Sequence, residues 1–186
     1  IYGIEHIIVA DGIDQFVRTN IKQNWIRGLA KEKVVQFGKM NLEMRQKENL
    51  VAFVNGFAKC CGVNWNVKKN TLLKGGSIII TSSLTAGMHD QLIENCKQND
   101  CEAYDVLYLV PPSMVNTEGK RYFKAIDAFK QSGIDLFDGT NDQLRTSYSI
   151  SVKQSRVYQY ESCRGLEGWC VVCANFDEAI AYKMNT

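Results

Sequence analysis

From position 34 onward the chain alternates short, continuously apolar runs with segments of helical period, and this alternation constrains the fold more than any single motif. Ser77–Thr81 reads SIIIT, the end of Ala103–Val110 reads VLYLV, and Trp169–Cys173 reads WCVVC. A strand with one wet face alternates apolar and polar residues; a run apolar throughout is covered on both faces. Between these runs, Leu50, Val51, Phe53, Val54, Phe57, Ala58 and Cys61 recur at helical spacing, with Gly62 as a stop. Met88, Leu92, Ile93 and Cys96 mark a second helix, and Tyr122, Phe123, Ile126 and Phe129 a third that ends at Gly133. Further strands are predicted at Ile4–Ala10, from Val34 toward Met44, at Ile134–Phe137 and at Val157–Tyr160, with residues 19–33 as a connector. The pattern predicts an α/β fold with a mainly parallel sheet and helices on both faces.

Bulk properties narrow the class without choosing a function. A length of 186 residues supports one substantial core, and 45% apolar with 23% charged residues is ordinary for a soluble globular chain. The net charge of +2 is too small to argue for a nucleic-acid partner by itself. Seven cysteines, two of them adjacent at Cys60-Cys61, are odd in number and lie in apolar stretches, which predicts reduced and mostly buried thiols. Cys170 and Cys173 have zinc-ligand spacing, yet no second Cys/His pair follows, and on a strand they fall on opposite faces, so no metal site is expected. No run reaches the length of a membrane span and no signal peptide opens the chain, so a cytoplasmic location is expected. The chain starts in strand-like sequence at Ile1 without a methionine, and a fragment of a longer protein is expected.

Three polar segments stand out against the apolar framework. Asp11-Gly12-Ile13-Asp14-Gln15-Phe16-Val17-Arg18 follows the first predicted strand, placing its polar groups where α/β sheets bind ligands. Met40–Gln46 precedes the first helix and carries Arg45, whose planar, permanent charge suits a phosphate. Tyr160-Glu161-Ser162-Cys163-Arg164-Gly165-Leu166-Glu167-Gly168-Trp169 connects the last two strands and gathers an acid, a base, a hydroxyl and two glycines. Glu167 there can accept from ribose hydroxyls, while Ser162, Arg164 and the loop amides can meet phosphates.

Taken together and in this order, the three segments resemble motifs III, IV and V of superfamily-one DNA helicases of the UvrD/Rep type. Gly165-Leu166-Glu167 after the Ser162-Cys163-Arg164 lead-in is similar to motif V, Asp11–Arg18 to motif III, and Leu42–Gln46 to motif IV. The resemblance implies a RecA-like fold: residues 1–30 as a remnant of the first motor domain with its connector, and 31–186 as a second RecA-like motor domain truncated before motif VI. It implies catalytic roles at the γ-phosphate for Gln15 and Arg45, and nucleotide contact at Glu167 with Gly165 shaping the loop. Phe16, Arg18, Ser162 and Arg164 would contact single-stranded DNA. The implied cofactors are ATP and Mg2+ in the intact parent, and the implied partners are single-stranded DNA, ATP and the first motor domain. Within these residues no G-x-x-x-x-G-K-[ST] phosphate loop occurs, and Asp11-Gly12 stands where the family shows Gly-Asp. The fragment alone is therefore expected to be inactive toward ATP. The other reading of the same residues is a non-catalytic α/β binding or interaction module derived from a helicase domain.

Overall fold

The computed structural model describes residues 45–115, 124–141, 144, 151–163 and 165–184. The chain forms two compact units, one of residues Ile1–Lys22 with Ser83–Thr186 and the other of residues Gln23–Ser82. The expected boundary after residue 30 lies outside the described residues, as do the strands expected at Ile4–Ala10 and from Val34.

The larger unit is a parallel α/β domain. Helix α2 (Ala86–Gln98) leads through a 3-10 turn at Ala103–Asp105 into strand β1 (Val106–Val110). Helix α3 (Lys124–Gln131), strands β2 (Leu136–Asp138), β3 (Ser155–Gln159) and β4 (Cys170–Cys173), and helix α4 (Phe176–Met184) follow. The strand order is β2-β3-β1-β4, and all three pairings are parallel. Strand β1 sits between β3 and β4, so each of its five residues is buried, as its unbroken apolar sequence requires.

Side chains alternate between the faces in register. Val106, Tyr108, Val110 and Val157 form one core with Cys96 of α2, Ile126 and Phe129 of α3, and Leu136 of β2. On the other face Leu107, Leu109 and Tyr158 are covered by Phe137, Tyr160, Cys163 and Leu166, the last three from the β3–β4 connection. Tyr160 also meets Phe176 at the start of α4 in a tilted ring contact, with centroids 6.1 Å apart. Helix α2 begins where the Thr85 side chain accepts from the Met88 amide at 3.3 Å, meeting one of the donors a helix start leaves open.

The smaller unit contains α1 (Glu48–Cys60), the helix expected from the spacing of Leu50 to Cys61. Val51 and Ala58 are its buried residues. The run Ser77–Thr81, expected as a buried strand, forms none: Ile79 is 77% and Ile80 86% exposed, with no ladder to either side among the described residues. β-branched residues favour an extended backbone, but a strand exists only where a neighbour supplies its hydrogen bonds. The cysteines also depart from expectation. Cys96 is fully buried, while Cys60, Cys61 and Cys173 are exposed, because Cys60 and Cys61 end an amphipathic helix and Cys173 ends edge strand β4.

Candidate functional site

Strand β3 leaves the sheet at Gln159, turns through a 3-10 segment at Tyr160–Ser162 and reaches β4 at Cys170. Because β3 and β4 both run parallel to β1, the connection must travel from the carboxyl edge of the sheet back to its amino edge. It does so along the face where Cys163 and Leu166 pack over Leu107, Leu109 and Tyr158. The first half is fixed by Tyr160, whose hydroxyl donates to the Ala174 carbonyl at 2.9 Å while its own carbonyl accepts from Cys163 Sγ at 3.0 Å. Burial pushes the Tyr160 phenol and the Cys163 thiol up, so both are held neutral here.

Two glycines permit the path. Gly165 has φ of +80°, the left-handed region that a side chain strains, although open space surrounds it. Gly168 is needed for room instead, since a Cβ there would stand 2.9 Å from the Asp105 carbonyl and 3.0 Å from Leu107 Cβ.

The far end is anchored by a residue that the sequence did not single out. Arg156, the second residue of β3, is 3% exposed. Its Nε donates to the Tyr104 carbonyl at 2.7 Å, its Nη2 donates to the Glu167 carbonyl at 2.6 Å, and its guanidinium lies 3.8 Å from the Tyr104 ring centroid. Neutral carbonyls and an aromatic face thus hold a buried, permanently charged group. The signal was an arginine immediately before the apolar pair Val157-Tyr158, flanked by Ser155 and Val157.

This geometry corrects one expectation. Arg45, after the run from Val34, and Glu167, after Val157–Tyr160, are expected from the sequence to follow parallel strands and share their carboxyl edge. Glu167 instead precedes β4, and its carbonyl meets Arg156 at the amino end of β3, so it lies at the amino edge. Arg45 lies in an exposed bend before α1, in the smaller unit, and the strand expected before it lies outside the described residues. Ser162 is half-buried in the 3-10 turn at the carboxyl edge, and Gly165 and Glu167 are exposed. The structure therefore gathers Ser162, Gly165 and Glu167 on one connection, with Ser162 and Glu167 near its opposite ends. Gln15, Phe16, Arg18 and Arg164 lie outside the described residues.

A second feature missed by the sequence reading is the pair His89 and Tyr108, whose Nδ1 and hydroxyl share a hydrogen bond of 2.6 Å beside Phe129. Burial lowers the His89 pKa and raises that of Tyr108, and Asp90 offsets part of the effect on His89. Cys96 and Cys170 approach to 3.9 Å between sulfurs on the same face, and burial pushes the Cys96 thiol up to about 12. Cys173 lies on the opposite face, as strand geometry dictates. Among the described residues no group of three or more His, Cys, Asp or Glu is arranged to hold a metal, and no helix is long and apolar enough to cross a membrane.

A hollow lined by Gln46, Val51, Val54, Asn55, Trp65 and Val67 lies in the smaller unit, with about 60 Å³ of space. It has room for roughly two waters and none for a nucleotide. The β3–β4 connection carries a hydroxyl near one end, a carboxylate near the other and a left-handed turn at Gly165, after which the Leu166 amide donates to the Cys163 carbonyl at 2.9 Å. No protein-family model, curated protein or solved structure matches the chain.

Proposed function

We propose that the chain is part of an ATP-dependent DNA helicase or translocase, a RecA-like second motor domain that forms one wall of the ATP cleft and part of the single-stranded DNA track. The carrying observation is the connection Tyr160–Trp169, which joins two strands flanking the same central strand, turns at a left-handed Gly165 and has its Glu167 carbonyl held by buried Arg156. In this reading Ser162 and Arg164 grip the DNA backbone, while Glu167 receives the ribose. Arg45 and Gln15 meet the γ-phosphate from other parts of the chain, and Phe16 and Arg18 face the bases and phosphates of the strand. ATP with Mg2+ supplies the phosphoryl bond whose cleavage drives the cycle. The protein groups position it and stabilise its charge. Because one connection carries both a DNA-facing and a nucleotide-facing group, nucleotide binding at Glu167 alters the grip at Ser162 in this reading.

Anisotropy of a fluorescent oligothymidylate titrated with the full-length protein, with and without a non-hydrolysable ATP analogue, tests the coupling. The analogue is expected to change DNA affinity by 5-fold or more, on the order of ordinary linkage between sites. Glu167→Gln should abolish the change while leaving nucleotide-free DNA binding intact. An affinity indifferent to the analogue contradicts the reading.

A further inference from the structure

The two units carry opposite charge. Residues Gln23–Ser82 hold ten Lys and Arg against three Asp and Glu, a net +7, and the rest of the chain holds twelve against seventeen, a net −5. The overall +2 conceals this division. Within the described part of the smaller unit, Lys59, Lys68, Lys69 and Lys74 are exposed, and Glu48 is the sole acid.

A concentration of positive charge is often only a solvated face, so the apolar residues beside it decide its meaning. Asn55 of α1 pins the following segment with its side-chain amide, donating to the Val67 carbonyl at 2.8 Å and accepting from the Val67 amide at 3.1 Å. That double clamp fixes the backbone between Trp65 and Lys68-Lys69. Trp65 lines the shallow hollow with Val51 and Val54, so part of its ring is supported by α1, yet it remains 40% exposed. The result is a half-supported indole held a few residues from two exposed lysines.

We propose that this surface binds single-stranded nucleic acid, with Trp65 stacking on a base and Lys68 and Lys69 meeting the flanking phosphates. Single-strand binding combines these two components: cationic side chains that track the backbone, and an aromatic face on which any base can stack. A half-open indole can also anchor an acidic protein segment, so competition by polyglutamate is the arm of the test that separates the two occupants. The inference deepens the motor reading by adding a second grip on the strand, separate from the β3–β4 connection, and its observations do not depend on ATP hydrolysis.

The test is titration of the 186-residue chain with a short oligothymidylate, followed by anisotropy and tryptophan fluorescence across a range of salt. Binding with quenching of tryptophan emission is expected, and Trp65→Leu should remove the quenching and weaken binding about tenfold, as loss of one stacked base does. Lys68→Gln with Lys69→Gln should flatten the slope of log affinity against log salt by about 1.4, from roughly 0.7 per single-strand phosphate contact. Circular dichroism confirms that these surface variants stay folded, and Lys97→Gln on α2 serves as the charge control. The proposal is overturned if no binding occurs, if Trp65→Leu and the double lysine variant bind like the parent chain, or if polyglutamate competes as well as oligothymidylate does. Binding that depends on Trp65 and Lys68, in a full-length protein without DNA-stimulated ATPase, supports this surface and counts against the motor. The reverse result counts against this surface alone.

Discussion

Arg156 shows how much a single buried cation can organise. Its guanidinium satisfies the Tyr104 and Glu167 carbonyls and covers the Tyr104 ring, so truncation removes three contacts and strands two carbonyl oxygens. Arg156→Ala is expected to cost about 3 kcal/mol, in the range for breaking a buried charged network, measured by urea unfolding. Arg156→Lys should recover only part of this, since a single ammonium lacks the fork that reaches both carbonyls. His89 sets a second residue-scale expectation. Burial holds its folded pKa below the ordinary 6.5, so the unfolded chain takes up the proton first. The stability this contributes is complete above pH 6.5 and is lost as pH falls from there through the lowered folded value. Asp90 and Tyr108 are the titratable groups beside it, and Tyr108 stays neutral throughout this range. The urea midpoint of the parent chain should therefore drop on acidification below neutrality, and His89→Phe should flatten that dependence; equal slopes for the two would contradict the assignment.

At the scale of elements, the β3–β4 connection depends on its glycines for two different reasons, and substitution separates them. Gly165→Ala should cost about 1–2 kcal/mol for its left-handed backbone alone, whereas Gly168→Ala should also displace the connection, because the Asp105 carbonyl occupies the space. Chemical denaturation of both variants checks the ranking, with Gly168→Ala the less stable. The elements were largely legible in the sequence wherever burial on both faces and local stop signals agreed. VLYLV before two prolines is the central strand, and Met88 to Cys96 is the helix that packs on it. The Ile78–Ile80 run misled because β propensity is a property of residues, whereas a strand is a property of pairs. The density of polar groups between the last two strands was legible in composition, but the direction of that connection was not. A parallel return from β3 to β4 carries Glu167 to the opposite edge, and only strand order reveals that. Arg156 was overlooked because the strand was expected to begin at Val157, which left the arginine in the preceding loop, whereas β3 begins at Ser155.

On the scale of the molecule, the division between an acidic sheet domain and a basic smaller unit was written in the sequence but hidden by an average. Locating it required knowing where the compact units divide. On the proposed motor reading, the β3–β4 connection serves nucleotide and DNA, and the basic unit meets a polyanionic partner. The 186-residue chain itself is expected to release no phosphate from ATP, with or without single-stranded DNA, because its residues contain no phosphate-cradling loop and lysine. Phosphate release by a clean preparation, abolished by Arg45→Ala, would overturn that expectation. The central claim is tested most directly by the steady-state ATPase rate of the full-length protein, with and without single-stranded DNA, for the parent and for Arg45→Ala. The account predicts DNA-stimulated hydrolysis that falls by about 10³ or more in the variant, as loss of a cation at the transferring phosphate does. Its folding stability should change by no more than about 0.5 kcal/mol, the cost of an exposed arginine. A full-length protein without DNA-stimulated hydrolysis, or an Arg45→Ala variant that keeps the parent rate, contradicts it.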